Sequence, residues 1–143
     1  MRVFLDTSVL VASILENHPA HTRAFAAVER MKLGQDEGTI GQHSLAEVFA
    51  VLTGLPRPLR LSPAEEQRCI EENFVAHAVI VGLGPEDYRA VLKDAAQAGC
   101  QSGMVYDALL VACARKVAPD RFLTLNRRHF QAIAPDLAQI EEP

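Results

Sequence analysis

Only three cysteines occur in the sequence, Cys69, Cys100 and Cys113, odd in number and widely spaced. That pattern excludes a disulfide framework and a zinc site, so the three read as reduced packing residues. No H-E-x-x-H spacing occurs among the five histidines. His18 and His21 share one "HPAH" turn, but with no matching Cys or His pair elsewhere they are assigned no metal. No apolar run reaches the ~18 residues that a membrane span requires. A secretory leader is missing too: Asp6 falls where its apolar region would lie, and no small-residue cleavage site follows. The expectation is a cytoplasmic protein with no membrane partner. Positive charge is scarce, with 14 Lys and Arg against 18 Asp and Glu and a net charge of −4. This argues against a protein that coats nucleic acid through bulk electrostatics. It does not exclude an enzyme acting on nucleic acid, because a metal ion can reverse the sign of an acidic pocket.

What is present is a chain of 143 residues, 49% of them hydrophobic. That suits one domain spanning residues 1–143 with its own core, although length alone leaves a small oligomer open. No repeat, low-complexity segment or linker interrupts it. "RVFL" reads as a short buried strand, and "VLVASILEN" as a central helix capped by Thr7 or Ser8. A second helix is expected from about Ala20 to Leu33, ending near Gly34, and "GTIG" is a weaker strand. "SLAEVFAVLTG" is expected to start at an Ser44 cap and to stop at Gly54. After the Pro-rich "LPRPLRL", Ser62, Pro63 and Glu65 form a strong helix start. "AVIVGL" is a strand by its β-branched run, and "PEDYRAVLKDAAQAG" an amphipathic helix with Tyr88, Val91, Leu92, Ala95 and Ala96 on one face. "MVYDALLVACARK" is a further buried helix, "RFLTL" a strand, "RRHFQAI" a short helix and "LAQIE" a final strand. Strands alternating with helices imply an α/β fold, a three-layer α/β/α sandwich around a short, mostly parallel central sheet.

The acids within these elements raise the functional question. Asp6 interrupts the apolar "VFLDTSVLVASIL" at the end of the first strand, where open α/β sheets bind their ligands. A plain helix cap would account for it, yet Thr7 and Ser8 could cap the same helix. Glu47 completes an S-x-x-E capping box with Ser44, which is its bland explanation. Asp107 stands beside the apolar "ALLVACA", so its surroundings are buried. Thr124 and Asn126 follow the fourth strand and should reach the same sheet edge, unless they merely form a turn or cap the next helix. Three carboxylates converging on one edge would repel one another unless a divalent cation lay among them. An all-oxygen donor set points to Mg²⁺ or Mn²⁺, suited to activating water and neutralising phosphoryl charge.

"VFLDTSVLVA", "SLAEVFAVLT", "GMVYDALLVACA" and "FLTLNRRHF", in this order and spacing, resemble the PIN-domain family, and within it the VapC-type toxins. The resemblance covers essentially the whole chain. It implies a PIN-like α/β/α sandwich and a magnesium-dependent endoribonuclease, the toxin of a toxin–antitoxin pair. Asp6, Glu47 and Asp107 match the family acids that hold the metal. The family's fourth acid follows the Thr of the last strand by two residues or lies slightly beyond it. Here those places hold Asn126, whose amide oxygen can bind directly or through water, and His129, a poor partner for Mg²⁺. The catalytic set implied is therefore Asp6, Glu47, Asp107 and Asn126. Thr7 and Thr124 would position carboxylates or water. Arg57, Arg60, Arg127 and Arg128 are candidates for holding an RNA substrate. A homodimer and a cognate antitoxin are also implied, with the helix bearing Phe25 and the helix bearing Ile70 and Phe74 as candidate interface surface.

Other classes fit less well. A receiver-type signalling domain wants an acidic pair after the first strand and a Lys at the last. A haloacid-dehalogenase-type phosphatase wants D-x-D, where this chain has "DTS". A PIN fold kept only for binding RNA or protein has no need of all three acids.

Overall fold

The computed structural model describes residues 1–137 and 139–143. Five strands form one parallel sheet, β1 (Arg2–Leu5), β2 (Glu37–Gly41), β3 (Val79–Val81), β4 (Arg121–Leu123) and β5 (Ile140–Glu141), in the order β3-β2-β1-β4-β5. Between them run α1 (Thr7–Ile14), α2 (His21–Lys32), α3 (Gln42–Thr53), α4 (Pro63–Ile70), α5 (Pro85–Gln97), α6 (Met104–Val117) and α7 (Arg127–Ile133). One π-helical turn, Glu71–Val75, continues α4. The expected strand and helix order is therefore the observed one.

The two-residue alternation of a strand divides the core into two layers. Val3, Leu5 and Leu123 point to one face, where they pack with Val9 and Leu10 of α1 and Val48 and Leu52 of α3. Phe4 and Phe122 point to the other, against Val111 and Ala114 of α6 and Phe130 of α7. Phe4 and Phe122 are register partners whose rings stack with centroids 5.2 Å apart. Burial on both faces explains why these strands are continuous apolar runs and not alternating ones. Gly38 in β2 is where Met31 of α2 lies against the backbone, leaving no space for a side chain.

Several local signals act as read. Ser62 and Glu65 close a reciprocal capping box, Ser62 N–H to Glu65 Oε2 at 2.8 Å and Glu65 N–H to Ser62 Oγ at 3.2 Å, with Pro63 opening the helix. Gly34 and Gly99 take positive φ, 68° and 69°, just beyond α2 and α5, a conformation that costs other residues a steric clash.

Two expected caps differ. Thr7 and Ser8 lie inside α1, and Asp6 occupies its N-cap position without a side-chain capping bond. The α3 helix begins at Gln42, with Gly41 as its cap, because β2 runs straight into the helix with no loop between them. Ser44 is thus a fully buried helical residue and no capping box with Glu47 exists.

The apolar face of α5 is only partly covered: none of its residues is fully buried, and Leu92 is 54% exposed. Ile70 and Phe74 are core residues, whereas Phe25 is exposed. Glu66 of α4 is an anomaly: it is fully buried, and neither carboxylate oxygen has a hydrogen-bond partner among the described residues. Its burial pushes the carboxyl up to about 7. Among the described residues, no helix is long and apolar enough to cross a membrane.

Candidate functional site

A parallel sheet collects the carboxyl ends of its strands at one edge, and Asp6 stands there at the end of the central strand, β1. Its N–H donates to the Leu123 carbonyl of β4 at 3.0 Å, and the residue is 3% exposed. A buried carboxylate needs donors. Ser8 Oγ donates to Asp6 Oδ2 at 2.6 Å and Thr124 Oγ1 donates to the same oxygen at 2.8 Å; neither hydroxyl touches Oδ1. Each hydroxyl also accepts a backbone N–H from the turn after β4, Ser8 from Leu125 at 3.0 Å and Thr124 from Asn126 at 2.9 Å. Burial raises the Asp6 carboxyl above its ordinary range, the Ser8 and Thr124 hydroxyls oppose the rise, and the Asp107 carboxylate adds to it.

Glu47 gains its position from the early start of α3. Freed of any capping role, its carboxylate lies 3.4 Å from Thr7 Oγ1, which is also 2.9 Å from Ser44 Oγ. His43, one turn earlier, brings Nε2 to 3.7 Å from Glu47 Oε1. Partial burial raises the Glu47 carboxyl, the Asp6 charge raises it further, Thr7 opposes, and the Asp107 charge adds a smaller rise. The three acids therefore feel one another across the space between them.

Asp107 enters from the first turn of α6, and its Oδ2 is 2.8 Å from Nε2 of His129 on α7. His129 thus bonds to an acid of the site and is not part of the cleft wall. Asn126 precedes α7 without a side-chain capping bond and is exposed at the cleft. The cleft is about 440 Å³ and is lined by Asp6, Thr7, Ser8, Glu47, Asp107 and Asn126, with His18 on its rim.

Sequence reasoning placed Thr7 and Thr124 as positioning residues, and each bonds to an acid. It missed Ser8, read only as a helix cap, although a hydroxyl two residues after an N-terminal Asp was a usable signal. Nothing in the sequence pointed to His18 at the cleft. Arg57, Arg60, Arg127 and Arg128 are all exposed.

The donor set is suited to a hard cation, being carboxylate and amide oxygens, with like charges that raise one another's proton affinity. Among the described residues, no three His, Cys, Asp or Glu side chains stand close enough to enclose an ion on their own.

Comparison with known proteins agrees with this architecture. The chain is 37% identical over 110 residues to ribonuclease VapC27 of Mycobacterium tuberculosis, covering 77% of this chain and 74% of that one. It is 31% identical over 124 residues to ribonuclease VapC40 of the same species, covering 86% and 85%. Among solved structures, VapBC2 from Rickettsia felis, bound to a DNA fragment from its promoter, shares the fold with a TM-score of 0.68 at 19% identity over the full length of both chains. The Sarcin-Ricin loop cleaving toxin VapC20 of M. tuberculosis does so with a TM-score of 0.68 at 15% identity, over 91% of this chain and 94% of that one. The sequence profile of the PIN domain matches residues 3–134. With its parallel sheet and acid-lined strand edge, the chain belongs to the PIN-domain family.

Proposed function

We propose that the protein is a metal-dependent endoribonuclease, the toxin of a toxin–antitoxin pair. The observation that carries this reading is the convergence of Asp6, Glu47 and Asp107, from three separate elements, with Asn126 on one cleft at the carboxyl edge of the sheet. Relatives named as ribonucleases support the same activity. Asp6, Glu47 and Asp107 would hold Mg²⁺ or Mn²⁺. When bound, that ion supplies positive charge to the phosphoryl oxygens and makes water a better nucleophile at neutral pH.

The chain's own residues do the positioning. Ser8 and Thr124 fix Asp6 through Oδ2, Thr7 lies against Glu47, and His129 fixes Asp107 through Oδ2. Asn126 offers an uncharged amide at the rim, able to contact a phosphate oxygen or a water without adding to the negative charge. Arg57, Arg60, Arg127 and Arg128 supply cations for the RNA backbone outside the acidic cleft. On this reading residues 1–143 act as a single cytoplasmic nuclease domain. It pairs with itself as a homodimer and with a cognate antitoxin; the VapBC complexes among its structural neighbours support the antitoxin.

Purified protein freed of partners should cleave RNA with Mg²⁺ or Mn²⁺ and stop in EDTA. Expressed alone it should arrest bacterial growth, and Asp6→Asn or Asp107→Asn should relieve the arrest. Cleavage that persists in EDTA would sink the metal mechanism, and Asn variants as toxic as the parent would remove the toxicity from this site.

A further inference from the structure

One partly exposed aromatic pair stands beside two of the acids. The rings of His43 and Tyr106 stack with centroids 4.7 Å apart and planes 21° from parallel. They come from different helices, each beside an acid: His43 lies one turn before Glu47 on α3, with Nε2 3.7 Å from Glu47 Oε1, and Tyr106 immediately precedes Asp107 on α6. Core packing does not account for the pair, because Tyr106 is 46% exposed. His43 also forms part of the wall of a second cavity, about 270 Å³, with Gln42, Tyr88, Leu83 and Leu109.

An exposed aromatic face presents what an unpaired nucleobase needs. Stacking on such a face tolerates any base, since every base has a π surface, and it requires that the base be free of its own helical neighbours. We propose that the stacked His43–Tyr106 pair is the platform on which an unpaired base adjoining the phosphate in the acid cleft stacks. The proposal rests on the nuclease reading above for its substrate, and adds the element that selects unpaired strands.

The absence of tryptophan from the chain provides a direct test. Tyr106→Trp places the protein's sole tryptophan on the platform, where a stacking base quenches its fluorescence. Stopped-flow mixing with a uridylate or adenylate oligoribonucleotide in Mn²⁺ reads binding before cleavage. Strong quenching is expected with the single strand, and little with an abasic strand or a blunt RNA duplex of the same length. In parallel, Tyr106→Leu should raise KM about five- to 150-fold with kcat nearly unchanged, while Tyr106→Phe behaves as the parent. Equal quenching by the abasic strand, or an unchanged KM in Tyr106→Leu, overturns the platform. Parent cleavage without quenching in Tyr106→Trp refutes the platform alone. Quenching by the single strand with no cleavage under any divalent metal keeps the platform and refutes the nuclease.

Discussion

His129 Nε2 lies 2.8 Å from Asp107 Oδ2, joining α7 to the first turn of α6 at the edge of the cleft. The contact occupies one carboxylate oxygen and fixes the plane of the other. A partner that orients a metal-ligating group commonly accounts for about 10–100-fold in metal affinity or activity.

His129→Ala should therefore raise the Mn²⁺ concentration at half-maximal cleavage by about 10–100-fold, with the circular dichroism spectrum unchanged. His129→Gln, whose amide can still donate to Asp107, should recover most of the loss. A Mn²⁺ titration identical to that of the parent would leave His129 with a packing role only.

The like charges around Asp6 predict a reversal of stability. Asp6→Asn removes one of three mutually repelling carboxylates and keeps an oxygen for the Ser8 and Thr124 hydroxyls, so in EDTA the variant should melt above the parent. A metal that binds only the folded state stabilises by about 2.7 kcal/mol at one hundred times Kd. The variant loses much of that increment, so in millimolar Mn²⁺ the parent should melt higher. Thermal melts of both proteins in both buffers decide it. A variant less stable by the same margin in each would mean that Asp6 holds the fold and no metal.

Glu66 predicts a pH dependence of stability. Its folded-state pKa of about 7 exceeds the ordinary value of 4.5, so the folded chain holds this proton more tightly than the unfolded chain. The contribution to stability is fully present below pH 4.5 and is lost as pH rises through about 7. The difference is on the order of 3 kcal/mol between those limits. Glu66→Leu should flatten this part of the stability profile and melt above the parent at pH 8, measured by urea unfolding at several pH values. A parent equally stable at pH 5 and pH 8 would show that the carboxylate has found a partner.

How much of this was legible in the sequence depends on the range of each interaction. The α4 start was readable because Ser62, Pro63 and Glu65 act within one turn. The strands were readable because burial on both faces demands apolar runs. The start of α3 was not, since Ser44 and Glu47 carry the spacing of a capping box while β2 runs directly into the helix. Local pattern cannot reveal that the strand ends where the helix begins. The placing of Asp6 and Glu47 at one edge follows from strand–helix alternation, but that of Asp107 does not, because α6 follows α5 and no strand. The hydroxyl clamp on Asp6 does not, because it requires knowing that β1 and β4 are neighbours. The His129 contact was likewise hidden: two helices must pack before an imidazole meets an acid 22 residues away.

The pairing of β1 with β4 also sets an order of events. The chain is made from its amino terminus, so Asp6, Glu47 and Asp107 all exist before β4 does. Until β4 docks, Asp6 lacks both the Leu123 carbonyl that holds its backbone and the Thr124 hydroxyl, 118 residues away, that holds its carboxylate. Non-local pairings of this kind form slowly, after their long loop has closed. An unfinished chain carrying all three acids therefore has no formed cleft. The carboxylate at the centre of the cleft is thus fixed only by one of the last segments to be made.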